Sequence, residues 1–217
     1  MTHFYTFKNM KNLKPTTLIP APHMGDSAVL EVDAHWAGSD VLALILHPNP
    51  KAGGTMNNKV VTTLYRFCKE ANMDTVRFNY RGVGQSSGEI EYGNGEYLDS
   101  LCVLDWALKQ TSAKTLWLAG FSFGGFIACR VTDKVLADYD VNLQKLTLIA
   151  PSIEKNNPTG LTLPTDTLMI YGDQDEFVRP SSMADFADEF GIRRKVMTGA
   201  SHFFHGRLGE LKELIEK

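Results

Sequence analysis

The sequence predicts a doubly wound α/β fold: a mostly parallel β-sheet with helices on both faces and an antiparallel N-terminal edge. Three observations carry that expectation. From Val41 onward, short apolar runs alternate with longer amphipathic ones, which is the rhythm of strand–helix–strand units. Runs such as Val41-Leu-Ala-Leu-Ile-Leu46 are continuously apolar, as strands covered on both faces are. The strands before Val41 reach each other through turns rather than helices, which suits antiparallel pairing.

Strand signals rich in Val, Ile, Leu and aromatic residues recur at residues 28–33, 41–47, 75–80, 115–120, 145–150, 167–172 and 193–198. Helical periodicity occupies residues 57–72, 96–110, 126–139, 182–190 and 206–217. The first of these places Val60, Val61, Leu64, Tyr65, Phe67 and Cys68 on one stripe. The second does the same with Tyr97, Leu101, Leu104, Trp106 and Leu108. No repeat, low-complexity tract or linker divides the chain, so residues 1–217 read as one domain.

Charge and composition exclude several function classes. A net charge of -3 and a pI near 6.1 leave no basic field for nucleic acid or an anionic membrane. The longest strongly apolar run, Val41–Leu46, is far too short to span a bilayer, and the N-terminal residues show no secretory pattern, so a cytoplasmic protein is expected. Cys68, Cys102 and Cys129 lack CxxC or zinc spacing and are expected as reduced core residues. With no ligand cluster and no phosphate-binding loop, neither a metal nor an organic cofactor is expected.

The chemistry concentrates in Thr115-Leu-Trp-Leu-Ala-Gly120-Phe-Ser122-Phe-Gly124-Gly125, a G-x-S-x-G pattern between a strand and a helix. The pattern alone is weak, but its placement is specific. A strand that turns at once into a helix forces the central residue to positive φ, and glycines on either side let the backbones pass closely. Ser122 would stand exposed at the helix N-terminus, as a nucleophile should.

A nucleophilic serine needs a base, and the base needs an orienting carboxylate. His202, in the loop after the last strand, can lean over the strand ends. His205 should begin the C-terminal helix and is the weaker candidate. His3, His23 and His35 read as surface or turn residues, and His47 as a strand-end residue that shapes a loop. The acid should follow a strand between Ser122 and His202, where Gly172-Asp173-Gln-Asp175 offers two candidates. Asp173 is placed to cap the turn, and Asp175 lies further into the loop within reach of a histidine.

Two N–H donors are needed for the developing oxyanion. Phe123, directly after the nucleophile, supplies one. The second should come from His47-Pro48-Asn49-Pro50, where the prolines lack an N–H and leave Asn49 as the donor.

With these residues in place the chain resembles the α/β-hydrolase superfamily from about Ala28 to its end. The order Ser, acid, His is that of the superfamily. Phe78-Asn-Tyr-Arg81-Gly82-Val-Gly84-Gln-Ser86-Ser-Gly88 is similar to its segment after the fourth strand, and Gly172-x-x-Asp175-x-x-Val178 to its acid loop. That second likeness favours Asp175 over Asp173. The stretch His47-Pro-Asn-Pro-x-x-Gly53-Gly54-Thr-Met56-x-Asn58-Lys59 is similar to small bacterial hydrolases related to the dienelactone hydrolase and serine aminopeptidase branches. Two features depart from the pattern. The usual His-Gly of the oxyanion loop is His47-Pro48, and the cysteine nucleophile of dienelactone hydrolases is replaced by Ser122.

The resemblance implies hydrolysis of a small carboxylic ester or thioester through an acyl-serine intermediate, with Ser122, His202 and Asp175 as triad and the amides of Phe123 and Asn49 as oxyanion donors. Amide or peptide cleavage would use the same triad. A binding protein on a retired hydrolase fold is a third reading, and it would be marked by a lost triad member. Residues 151–164, with three prolines and a glycine, cannot form the helices of a lid, so an open site is expected. Glu89, Glu91 and Glu96 would disfavour anionic substrates if their loop reached the strand ends, although a solvated loop is the simpler reading.

Overall fold

The computed structural model describes residues 16–215 apart from 157 and 159, so His3 lies outside the described residues. Eight strands form one sheet: β1 (Thr17–Pro20), β2 (Val29–His35), β3 (Val41–Leu46), β4 (Asp74–Asn79), β5 (Thr115–Phe121), β6 (Asn142–Ile149), β7 (Leu168–Gly172) and β8 (Arg193–Met197). Their order is β1-β2-β4-β3-β5-β6-β7-β8. β1 with β2 and β2 with β4 pair antiparallel, and every other pairing is parallel. The expected mostly parallel sheet with an antiparallel N-terminal edge is therefore present. Five helices cover it: α1 (Lys59–Glu70), α2 (Asn94–Gln110), α3 (Phe123–Asp138), α4 (Pro180–Glu189) and α5 (Leu208–Leu214). α1 packs with α5, and α2 with α3.

The central strands are buried on both faces, which is why their sequences run apolar without alternation. Trp117 on β5 is 2 % exposed; its ring meets Phe67 of α1 edge-on, and its Nε1 donates to Thr147 Oγ1 on the neighbouring β6 at 2.8 Å. One side chain thus ties sheet to helix and strand to strand, and its truncation to alanine would cost about 3–5 kcal/mol. α1 begins where the Asn58 side chain accepts the N–H of Val60. It buries the stripe that periodicity assigns to it.

α2 differs from expectation. Its buried face carries Glu96, Asp99, Ser100, Val103, Leu104 and Ala107, whereas Tyr97, Leu101, Trp106 and Leu108 are half-buried. Periodicity misreads the face because part of it is polar and is satisfied internally. The Asp99 carboxylate accepts from Arg81 Nε and Nη2 and from the Arg81 N–H, and it meets His23 Nε2 at 2.8 Å. His23 is exposed in the turn Pro22–Met24, as expected of a surface or turn residue, and from there it reaches a buried ion pair. Cys68 and Cys129 are buried and free as expected, but Cys102 is only half-buried, with Sγ 3.6 Å from the carbonyl of Pro20. α3 starts three residues earlier than the sequence suggests, directly after Ser122.

Between β6 and β7 the described residues contain no helix. Among the described residues no helix is long and apolar enough to cross a membrane.

Candidate active site

Ser122 sits at the tip of the β5–α3 turn with φ 54° and ψ −118°, a conformation that L-residues rarely adopt. The flanking glycines permit it. A Cβ on Gly120 would lie 2.1 Å from the carbonyl oxygen of Gly124, and one on Gly124 would lie 2.4 Å from that of Leu46. The Ser122 N–H donates to Ile149 O at 2.9 Å, and its carbonyl accepts from Gly125, Phe126 and Ser152. Backbone on both sides of the turn fixes the residue and leaves the hydroxyl free.

That hydroxyl lies 3.0 Å from His202 Nε2, and His202 Nδ1 lies 2.7 Å from Asp175 Oδ2. Asp175 is buried, and its other oxygen accepts the N–H groups of Phe177 and Val178 at 2.9 and 2.8 Å. With one oxygen held by backbone, the second can only face the histidine. The imidazole is 3 % exposed and is packed among the rings of Phe121, Phe177 and Phe203 at centroid distances of 5.0, 5.1 and 5.1 Å. Glu176 Oε2 accepts the His202 N–H at 3.1 Å, so side chain and backbone of the histidine are both positioned.

The structure separates the two aspartates. Asp173 is turned away, and its Oδ1 accepts the N–H of Gly199 at 2.6 Å, joining the ends of β7 and β8. His205 is exposed, and α5 begins only at Leu208, so it does not open the helix. It lies in a neighbouring hollow with Asn57, Lys59 and Leu208.

Asn49 and Phe123 border the same cavity as Ser122 and His202. Neither of their backbone N–H groups has an acceptor among the described residues. The orientation of the first is set by His47, which is completely buried. The N–H of Tyr80 donates to His47 Nε2 at 3.1 Å, so Nε2 is the acceptor and the ring proton resides on Nδ1. Nδ1 then donates to the carbonyl oxygen of Pro48 at 2.7 Å. Because the Pro48–Asn49 peptide is trans, holding its C=O on one side turns the Asn49 N–H to the other. Burial pushes the His47 imidazole down to about 3, against the bond to Pro48, which acts to raise it. The ring is therefore neutral and keeps its acceptor nitrogen.

The cavity measures about 210 Å³, and its wall includes residues to which sequence reasoning gave no role in the site: Asn58, Tyr92, Ser152, Lys155, Phe177 and Phe203. They come from different loops and meet only through the strand order. The one signal available was position, since Ser152 and Phe177 follow β6 and β7, the strands beside and beyond β5. Of the three glutamates in the 89–96 loop, none borders the cavity. Glu91 pairs with Arg81, and Glu96 turns inward to accept the N–H groups of Glu91, Tyr92 and Gly93.

Residues 53–166 match the family model described as alpha/beta hydrolase fold. An alpha-beta serine hydrolase homologue from Coxiella burnetii is 39% identical, with 95% of this chain and 97% of that one covered and a TM-score of 0.84. XC6422 from Xanthomonas campestris, described as an a/b serine hydrolase without lid, is 34% identical over 94% of both chains, with a TM-score of 0.79. An uncharacterized protein from Rickettsia prowazekii is 30% identical over 186 residues, 80% of this chain and 76% of that protein.

Proposed function

The chain belongs to the alpha/beta hydrolase fold family, and from that premise we propose that it is a serine hydrolase that cleaves a small carboxylic ester or thioester through an acyl-Ser122 intermediate. The observation that carries this reading is the continuous contact from Ser122 Oγ through His202 to Asp175, opening on a cavity with two unpaired amides.

In the proposed first half-reaction His202 Nε2 takes the Ser122 proton as Oγ bonds to the carbonyl carbon. The carbonyl electron pair moves to oxygen, where the N–H groups of Phe123 and Asn49 receive it. Asp175 holds the ring in the tautomer with the proton on Nδ1 and faces the charge that forms. The tetrahedral adduct reforms its carbonyl by expelling the alcohol or thiol, which leaves with the proton from Nε2. Water then repeats the sequence on the acyl-serine, with His202 as base, and releases the acid and free Ser122.

Two measurements test this together. A fluorophosphonate probe should label the wild-type protein at Ser122 and fail to label S122A, and the purified protein should hydrolyse p-nitrophenyl acetate. Unlabelled wild-type protein with no ester turnover would leave only a non-catalytic role for the fold.

A further inference from the structure

The cavity beside Ser122 has donors without acceptors. Ser152 is 8 % exposed and borders the cavity; its Oγ accepts from Asn156 Nδ2 at 3.2 Å, while its own hydroxyl proton has no acceptor among the described residues. Asn58 uses its Oδ1 to cap α1, which leaves its Nδ2 hydrogens unmatched at the same wall. Lys155, three residues after Ser152, brings an ammonium that no described carboxylate neutralises.

Among the described residues, no Asp or Glu borders the cavity. The carboxylates nearest in sequence are each already engaged: Glu154 with Arg179 and Ser182, Asp175 with the His202 ring and two backbone N–H groups, Glu176 with the His202 N–H, Glu91 with Arg81 and Glu96 with its own turn. A second ammonium, that of Lys51, stands 5.6 Å from the ring centroid of Tyr92, another wall residue, and adds positive potential on that side. The chain as a whole carries −3, so a wall with unmatched donors and an ammonium runs against the protein's own balance.

Unmatched donors around one neutral-to-cationic wall are complementary to an anion. We propose that the substrate is an ester or thioester that carries a carboxylate away from the scissile carbonyl, held by Lys155 with Ser152 contributing a hydroxyl donor. Lys155 is the one unpaired ammonium in the wall, and it matches the single charge of a carboxylate. This specificity rests on the reading of Ser122 as the nucleophile, but it concerns a different part of the cavity.

The test compares monomethyl glutarate with methyl pentanoate, which differ in a carboxylate against a methyl group, by pH-stat hydrolysis. Wild-type kcat/KM should favour the anionic ester by about tenfold or more, a charge-assisted hydrogen bond being the difference. K155M should remove most of that preference, K155R should restore it, and S152A should reduce it in part. A wild-type preference at or below unity, or one that K155M leaves intact, overturns the proposal while the hydrolase reading stands. Calorimetry on S122A gives a readout that needs no turnover. Monomethyl glutarate should bind S122A more tightly than methyl pentanoate does, and S122A/K155M should lose the difference. If that difference persists in S122A but the wild type neither hydrolyses ester nor takes the fluorophosphonate, the hydrolase reading fails and the anion site survives. Equal binding of the two esters to S122A overturns the anion site.

Discussion

The ring of Tyr92 is stacked on that of Phe123, with centroids 5.1 Å and planes 20° apart. Phe123 supplies one of the two free amides beside Ser122, so this contact links the wall of the cavity to the position of a donor. Glu96 holds the arrangement from below, because its carboxylate gathers the N–H groups of three successive residues and fixes Tyr92 at φ 66°. Y92A should lower kcat/KM for p-nitrophenyl acetate by roughly tenfold, as misplacement of an oxyanion donor costs transition-state binding. Y92F should retain most activity, since stacking survives. Equal damage from both variants would point to the hydroxyl instead.

The two aspartates of the β7 loop should part in their effects. D175N should reduce kcat by roughly 10³ to 10⁴, because His202 loses the acceptor that sets its tautomer. D173A should leave kcat within about threefold and lower stability by about 1 kcal/mol, the worth of its bond to Gly199. Steady-state kinetics and urea unfolding on both variants check the pair, and a crippled D173A would exchange their roles.

His47 should make the fold acid-sensitive. Its imidazole titrates near 3 in the folded protein against 6.5 ordinarily. Between those values the unfolded chain binds the proton more readily, so the stabilisation from a neutral His47 is complete above about pH 6.5 and is lost as pH falls toward 3. The full effect approaches about 5 kcal/mol. Urea midpoints of wild type and H47Q, measured from pH 7 to pH 4, should converge as pH falls. Parallel curves would show that His47 does not carry this dependence.

Substrate length should matter little. With no helix among the described residues between β6 and β7 and a cavity of about 210 Å³, carbons beyond the first few remain in water and contribute little of the ~0.8 kcal/mol that a buried methylene supplies. Across p-nitrophenyl esters from acetate to palmitate, kcat/KM should reach its maximum at short acyl groups. A value that climbs steadily from octanoate to palmitate would require a deeper acyl site than this cavity.

Legibility from sequence followed the range of the interactions. The elbow was readable because G-x-S-x-G encodes a local steric demand, and α1 because its buried side chains recur at helical spacing on one stripe. β1 was missed. Its four residues end in proline and bury only Ile19, so neither alternation nor length marks them as a strand. The face of α2 was misread because Asp99 and Glu96 are buried against Arg81, His23 and backbone amides that lie far from it in the chain or around a turn. Residue spacing left Asp173 and Asp175 open, since both can follow a strand, and only the family likeness separated them. Tyr92, Ser152 and Lys155 could not be found as neighbours, because the strand order that joins their loops is a property of the whole sheet.

The backbone of Ser122 carries a consequence for engineering. At φ 54° and ψ −118° it occupies a region that costs a residue with a Cβ about 1–3 kcal/mol, and glycine would occupy it freely. Selection for reactivity and selection for thermal resilience therefore pull this position in opposite directions. S122G should melt above the wild type by a few degrees while hydrolysing nothing, and S122A, which keeps the Cβ, should not share the whole gain. A stability screen run without an activity filter would thus enrich substitutions at the proposed nucleophile itself.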